Sequence, residues 1–565
     1  LKTRLNNQAP AGPVYIDWVK QNLRENKPYD QVVRELLTAE GYSWDNPAVG
    51  YYLRDPGMPL DNMANTVQIF LGTRLQCAQC HDHPFDQWSQ KDFYHMAAFT
   101  YGVNTRKPYF MDGEVRKARM IAQRKGLFKG ESRRTIQRST RNLIEPLIYG
   151  AHETGKEVRL PKDYQYDNAR PRQVIEPRTM FGEEADAAGN SRDAYAAWMT
   201  SSENPRFALV IANRMWKHVM GLGLIEPVDD MKEGTAASIP PLMDYLTELM
   251  VDVNYDLKQF QRILYNTDAY QRKSCRTEID PGKPFYFPGP LLRRMTAEQI
   301  WDSTLTLMIE DLDKRRIPDP QTFGIERRHR SFETRAAKLE TMEAEELVDA
   351  LTEVVAIEKK YAQRGIEVRE AMSEAGTMEE KAAARRKVGA LRRDRYREMS
   401  GLYGEEMAGG DMKGEMIRQA MERRRKTGKK GFDPRWRGFP REMIRASEVS
   451  SPAPAGHFLR QFGQSDREVI QNANDEASIP QALTLLNGKS YQLMSSGQSL
   501  TANTFRRTKN ALEELDVLFL SVLNRYPDPG ERELFAGQVE DLDRKERFNH
   551  TLWVLLNSQE FRFIQ

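Results

Sequence analysis

Phe207-Ala208-Leu209-Val210-Ile211-Ala212-Asn213-Arg214-Met215-Trp216-Lys217-His218-Val219-Met220-Gly221 is the stretch on which the fold class turns. Phe207, Leu209, Val210, Ala212, Met215, Trp216 and Val219 recur at helical rather than alternating spacing, and Gly221 supplies the stop. Downstream, Pro240 opens a second helix at the first-turn position where proline is tolerated, and Met243, Leu246, Leu249 and Met250 follow. Phe260, Ile263 and Leu264 mark a third. Upstream, residues 14–41 read as two amphipathic helices broken at Asn26-Lys27-Pro28 and stopped at Gly41. A loop with Pro47, Pro56, Gly57 and Pro59 leads to another helix, with Asp61 as N-cap, Met63, Val67, Phe70 and Leu71 on its apolar face, and Gly72 as its end. Apolar helices around Leu518–Leu523 and Leu552–Leu556 close the chain.

Two segments break this regularity. From about Lys107 to Phe181 short apolar pieces such as Leu143–Tyr149 alternate with Gly, Pro and Asp, which predicts strands and loops. The basic stretch from Arg133 to Arg141 reads there as a solvated connection. Residues 332–430 predict an inserted antiparallel helical hairpin. Ala350, Val354, Ile357, Tyr361 and Val368 keep a narrow spacing among dense charge, Gly376 breaks the run, and Thr377-Met378-Glu379-Glu380 has capping-box form. Its apolar stripe must be covered, which points to a homo- or hetero-oligomer contact or a scaffold arm. Arg423–Lys426 with Lys429 and Lys430 reads as an exposed basic loop.

A chain of 565 residues is long enough for about three to four domains. Apolar residues make up 39% and charged residues 29%, as a solvated globular protein requires. The net charge of +3 gives no argument for nucleic acid. No apolar run reaches the roughly eighteen residues of a membrane-spanning helix, so the chain is expected not to be transmembrane. No signal-peptide pattern follows Leu1, so the compartment is not legible there.

Three cysteines cannot build a disulfide framework. Cys275 stands alone and reads as packing. Cys77-Ala78-Gln79-Cys80-His81 has the spacing of c-type haem attachment. Two thiols three positions apart can add to the two vinyl groups of one porphyrin, and the adjacent imidazole is then held where it can ligate the iron. Haem c is therefore the expected cofactor, with His81 as proximal ligand. Three other readings stand beside it. A thioredoxin-like pair would follow a strand, whereas a helix ending at Gly72 comes first. A zinc site would have to draw Cys77, Cys80, His81 and His83 from one short run. Two incidental core cysteines are the plain alternative.

The sixth iron ligand stays open among Met63, Met96, His95 and His457, or the position is empty. With 24 methionines in the chain, spacing alone cannot choose one. His83 lies too close to His81 to reach the opposite face. It would orient His81, hold a propionate, or pack beside Pro84 and Phe85. Trp88, Phe93, Tyr94 and Phe99 read as core or as a dry wall around a haem. Asp229-Asp230 reads as a helix cap or a cation holder.

The run Gln76–Phe85, with its Cys-x-x-Cys-His-x-His-Pro-Phe pattern, resembles the hallmark of the planctomycete-type cytochrome family. Asn204–Phe207, Asn213–Trp216, Gly221–Leu224 and Pro227–Asp230 are similar to the opening of that family's partner domain. Gly456–Arg460, Phe462–Arg467, Ile479–Leu483 and Leu486–Gly488 resemble its later motifs. The resemblance covers nearly the whole chain except the hairpin. It implies haem binding, an extracytoplasmic or periplasmic location, and further sequence ahead of Leu1, often a separate cytochrome domain. It implies no substrate.

The expected architecture is mainly α and multi-domain, with a small β-containing segment and the inserted hairpin. Residues 1–104 form a haem-binding cytochrome-like domain and 105–190 a β/loop segment. Residues 191–331 with 431–565 form a helical partner domain, interrupted by 332–430. The expected function is electron transfer to a redox partner protein within a larger cell-envelope assembly. A haem-dependent oxidoreductase with an open sixth position is the first alternative. A structural protein assembling through the hairpin is the second.

Overall fold

The computed structural model describes residues 11–105, 109–127, 133–181, 191–275, 283–315, 332–402 except 375, 434–464 except 441, 450–452 and 455, then 481, 484, 488–539 and 542–564. Arg423–Lys430, Ile479-Pro480 and Ser465–Arg467 lie outside the described residues. The protein is mainly α, with two small antiparallel sheets among the described residues.

α1 (Ala11–Glu25) and α2 (Tyr29–Leu37) are the two expected amphipathic helices, and α2 buries Val33, Leu36 and Leu37. α3 (Pro59–Leu71) begins two residues before the expected cap Asp61. Proline takes the first position behind Met58, so Asp61 lies inside the first turn, where its charge meets the positive helix end. α4 (Gln90–Ala97) starts behind a capping box of Ser89 and Asp92.

The segment 107–181 departs from its reading as strands and loops. It holds two helices, α5 (Tyr109–Arg124) and α6 (Arg133–Leu143), followed by a 3₁₀ turn at Glu145–Ile148. The reason lies in what is buried. α6 turns Ser139 and Thr140 inward along with Leu143, so its hidden face carries hydroxyls that no hydrophobic pattern reveals. α5 buries Val115, Ala118 and Ala122, a stripe of small side chains diluted by charge. The basic stretch 133–141 is thus a packed helix and not a connection. The strand content reduces to β3 (Gly150–Glu153), which joins β1 (Gly41–Tyr42) and β2 (Val103–Asn104) in the order β1-β3-β2. Gly41 pairs with Ala151 and Val103 with Glu153.

Helices then resume as α7 (Ser191–Met199), α8 (Phe207–Met220), α9 (Pro240–Asp252), α10 (Leu257–Tyr265) and α11 (Ala297–Met308). α8 ends at Gly221 in the left-handed conformation, as its sequence predicts. The hairpin consists of α12 (Ala344–Glu374) and α13 (Met378–Gly401), turned by reciprocal bonds between Thr377 and Glu380. Among the later helices are α14 (Ala511–Leu523) and α15 (Arg544–Asn557). No helix among the described residues is long and apolar enough to cross a membrane.

Buried side chains divide the chain otherwise than the segments above. One core runs from Tyr15 to Phe287, so α7–α10 pack with the first hundred residues. A second runs from Ala297 to Phe561. In a third, Leu347, Leu351, Val354 and Tyr361 of α12 pack against Val115, Ala122 and Leu143 of α5 and α6. Buried Glu358 ties this unit together, receiving bonds from Arg395 of α13 and from Asn142 Nδ2 at 2.8 Å. The apolar stripe from Leu347 to Tyr361 is thus covered by α5 and α6 of the same chain.

Candidate functional site

The cysteine loop is built outward from the end of α3. Gly72 there adopts φ +63°, and a Cβ on it would stand 2.9 Å from Val210 Cγ2, so only glycine fits without displacement. Its carbonyl accepts from Met231 N–H at 2.7 Å. Arg214 of α8 caps the last turn of α3, donating to Ile69 O and, at 3.1 Å, to Gln68 O. Those carbonyls would otherwise be orphaned at a helix end. Burial among these dipoles pushes the Arg214 guanidinium below its usual range. Asp229 is buried and accepts from Gln68 Nε2 at 3.1 Å and Arg74 Nη2 at 3.3 Å. It accepts there from side chains and not from the N–H groups of a helix end. It fastens the start of the loop.

The loop continues as a 3₁₀ turn over Gln76–Gln79. Leu75 and Ala78 point into the core, while Cys77 and Cys80 are exposed free thiols. Cys77 lies within the turn and Cys80 caps its end, donating its N–H to Cys77 O at 3.3 Å. His81 and Asp82 are exposed as well. Asp82 is fixed from two directions: its N–H donates to Tyr166 Oη at 2.7 Å, and its Oδ1 accepts from Gln90 N–H at 2.8 Å. Gln90 Nε2 returns to Gln79 O at 3.0 Å. Tyr166 and Gln90 carry no motif, and nothing in the sequence marks them. Arg214 and Asp229 do sit in motifs read above, though without this role.

Hydrogen bonds assign the imidazole tautomers, because a carbonyl only accepts and an amide N–H only donates. His81 Nδ1 lies 2.8 Å from Asp82 O and therefore carries the proton, leaving the Nε2 lone pair free. His95 is arranged alike, with Nδ1 2.8 Å from Glu176 O, and burial lowers its pKa. His83 Nδ1 instead accepts from Phe85 N–H at 3.3 Å, and His457 Nδ1 from Leu459 N–H at 3.2 Å. When neutral, both carry the proton on Nε2 and cannot ligate through it. His457 also stands in the second core, 5.0 Å from the Trp301 ring centroid.

Met63 and Met96 are buried in the first core. Trp88, Phe93, Tyr94 and Phe99 are buried there too. Trp88 meets the Phe181 ring edge-on at 5.9 Å. Phe85 is the exception at 76% exposure, with Lys232 Nζ 5.7 Å from its ring centroid. Cys275 is half-buried, its Sγ 3.6 Å from Gly289 O. Among the described residues no group of three or more His, Cys, Asp or Glu is arranged to hold a metal ion.

Two exposed free cysteines three positions apart, and an adjacent imidazole whose Nδ1 is bonded to Asp82 O, are donors that fit a thioether-linked haem.

No curated protein and no solved structure matches this chain. A model of the PSCyt2 family, a protein of unknown function (DUF1549), matches residues 2–105. A model of the PSD1 family, a protein of unknown function (DUF1553), matches residues 191–539, more than half of the chain. The chain therefore belongs to the PSD1 family and carries a PSCyt2 segment ahead of it, the pair of domains typical of planctomycete-type cytochrome-like proteins.

Proposed function

We propose that Cys77 and Cys80 bind haem c through thioethers, that His81 Nε2 is the proximal iron ligand, and that the protein transfers electrons within a larger extracytoplasmic assembly. The observation that carries this reading is the shared exposure of both thiols and of an imidazole whose Nδ1 proton is committed to Asp82 O. Such a bond orients a ligating imidazole and raises its basicity. Tyr166 and Gln90 hold Asp82 and so hold His81. Bound there, the iron porphyrin would supply reversible one-electron exchange. The exposed loop would meet a redox partner protein directly.

Of the four named candidates for the distal side, His95 alone keeps both a free Nε2 lone pair and a place on α4. A haem-dependent oxidoreductase with an open sixth position is the second reading, favoured by the burial of Met63 and Met96.

Mass and visible spectroscopy of protein purified from its native host test both. The proposal expects one haem that survives denaturation and a six-coordinate low-spin spectrum. A five-coordinate high-spin spectrum would select the oxidoreductase, and unmodified thiols would refute haem attachment.

A further inference from the structure

The first and second cores meet where α1 and α2 face α11, and a cavity of about 590 Å³ opens between them. It lies within the roughly 300–1,000 Å³ typical of small-molecule sites. Aliphatic side chains dominate its walls, among them Ile16 and Val19 of α1, Val32 and Leu36 of α2, and Leu257 of α10. Such a lining favours an apolar body and gives it no orientation.

Orientation comes from the charged groups. Lys20 Nζ is engaged by Glu448 at 2.9 Å and Lys27 Nζ by Glu35 at 2.7 Å. Asp302 accepts from Ala446 N–H at 2.8 Å and lies 3.6 Å from Arg445. Glu298 differs: its half-buried carboxylate has no ion pair or hydrogen bond to any described residue. It stands in the first turn of α11, beside the positive end of the helix. Arg445 is shared with Asp313, at 2.8 Å, so Asp302 is only partly offset and adds to Glu298 in making this edge of the apolar cavity negative.

We propose that this cavity binds a small amphipathic cation, an apolar chain or compact ring system ending in an ammonium group that pairs with Glu298. The site is independent of the cysteine loop and stands whether or not haem is attached there.

The test is calorimetric titration of the full chain with octylammonium, octanoate and octanol, below their aggregation concentrations. Octylammonium should bind about tenfold or more tighter than octanoate, the ratio one charge-assisted hydrogen bond confers. Glu298→Gln should weaken octylammonium about tenfold and leave octanol unchanged. Val32→Trp, which fills the cavity from a half-buried position, should remove binding of all three. Near-UV circular dichroism confirms that each variant is folded. A photoreactive octylammonium should label peptides containing residues 16–36 of the unaltered protein. Equal affinity for octanoate, an unchanged preference in Glu298→Gln, or labelling elsewhere would each overturn the assignment.

Discussion

Replacing Arg214 by methionine removes the guanidinium that closes α3 while keeping most of the stem that packs beside it. Two buried carbonyls, Ile69 O and Gln68 O, lose their charged donor. Hydrogen bonds to charged groups contribute about 1.5–3 kcal/mol each, so the gross loss is about 3–6 kcal/mol. Part of it is offset, because burial already disfavours the Arg214 cation and the variant no longer carries it. A net destabilisation of about 2–4 kcal/mol is expected from urea unfolding at neutral pH. The loss should also be local. Amide exchange should accelerate at Ala78, whose N–H donates to Leu75 O at 2.9 Å, and at Met231, bonded to Gly72 O at 2.7 Å. Amides of α14 and α15 in the second core should follow only the global change. A loss under about 0.5 kcal/mol, within the range of ordinary surface substitutions, would refute the view that Arg214 fastens the cysteine loop. So would uniform acceleration at every amide.

Gly72→Ala should cost about 1–3 kcal/mol in the same assay, from left-handed strain and the 2.9 Å approach to Val210. Arg192→Leu should cost about 2–4 kcal/mol, because the buried guanidinium bonds Ala39 O, Glu40 and Glu153; the two carboxylates stay partly solvated, which keeps the loss moderate. Cys77→Ser with Cys80→Ser should abolish haem that survives denaturation in native-host protein, while either single substitution should retain it through one thioether; intact mass reads both. Arg525 bridges Glu531 and Glu560, holding the Glu531 carboxyl below its usual value of 4.5. A depressed folded pKa gives stability that is present above the unfolded value and fades as pH falls through the folded one. Acid unfolding below about pH 4.5 should therefore lose this contribution, and Arg525→Gln should flatten that part of the profile.

The parts of the fold legible beforehand were those where apolar side chains mark the buried face. α8 could be read from Phe207 to its stop at Gly221, and the hairpin from α12's stripe and the Thr377–Glu380 turn. α6 could not, because Ser139 and Thr140 occupy its inner face. The site shows the same divide. Adjacency along the chain brought Cys77, Cys80 and His81 together before any coordinates. Asp82's partner Tyr166 was out of reach, since loop closure over 84 residues leaves no local pattern, and Gln90 reaches Asp82 through a backbone N–H that its side chain does not advertise. Which imidazole keeps an available lone pair was equally hidden, because it depends on whether the neighbour is a carbonyl or an amide. The division of the cores was hidden for a related reason: an apolar helix face announces that it will be covered, and not by which part of the chain.

That division has a consequence for handling the protein. A fragment ending at residue 190 would strip α3 and the cysteine turn of Val210, Arg214, Asp229 and Met231. It would leave one side of the Tyr15–Phe287 core facing water, a surface of the kind that drives aggregation. The PSCyt2 segment and the first part of the PSD1 segment thus share one core, while the rest of the PSD1 segment builds the second. Attempts to isolate the thiol-bearing half should start from a cut beyond Phe287, at the seam before α11.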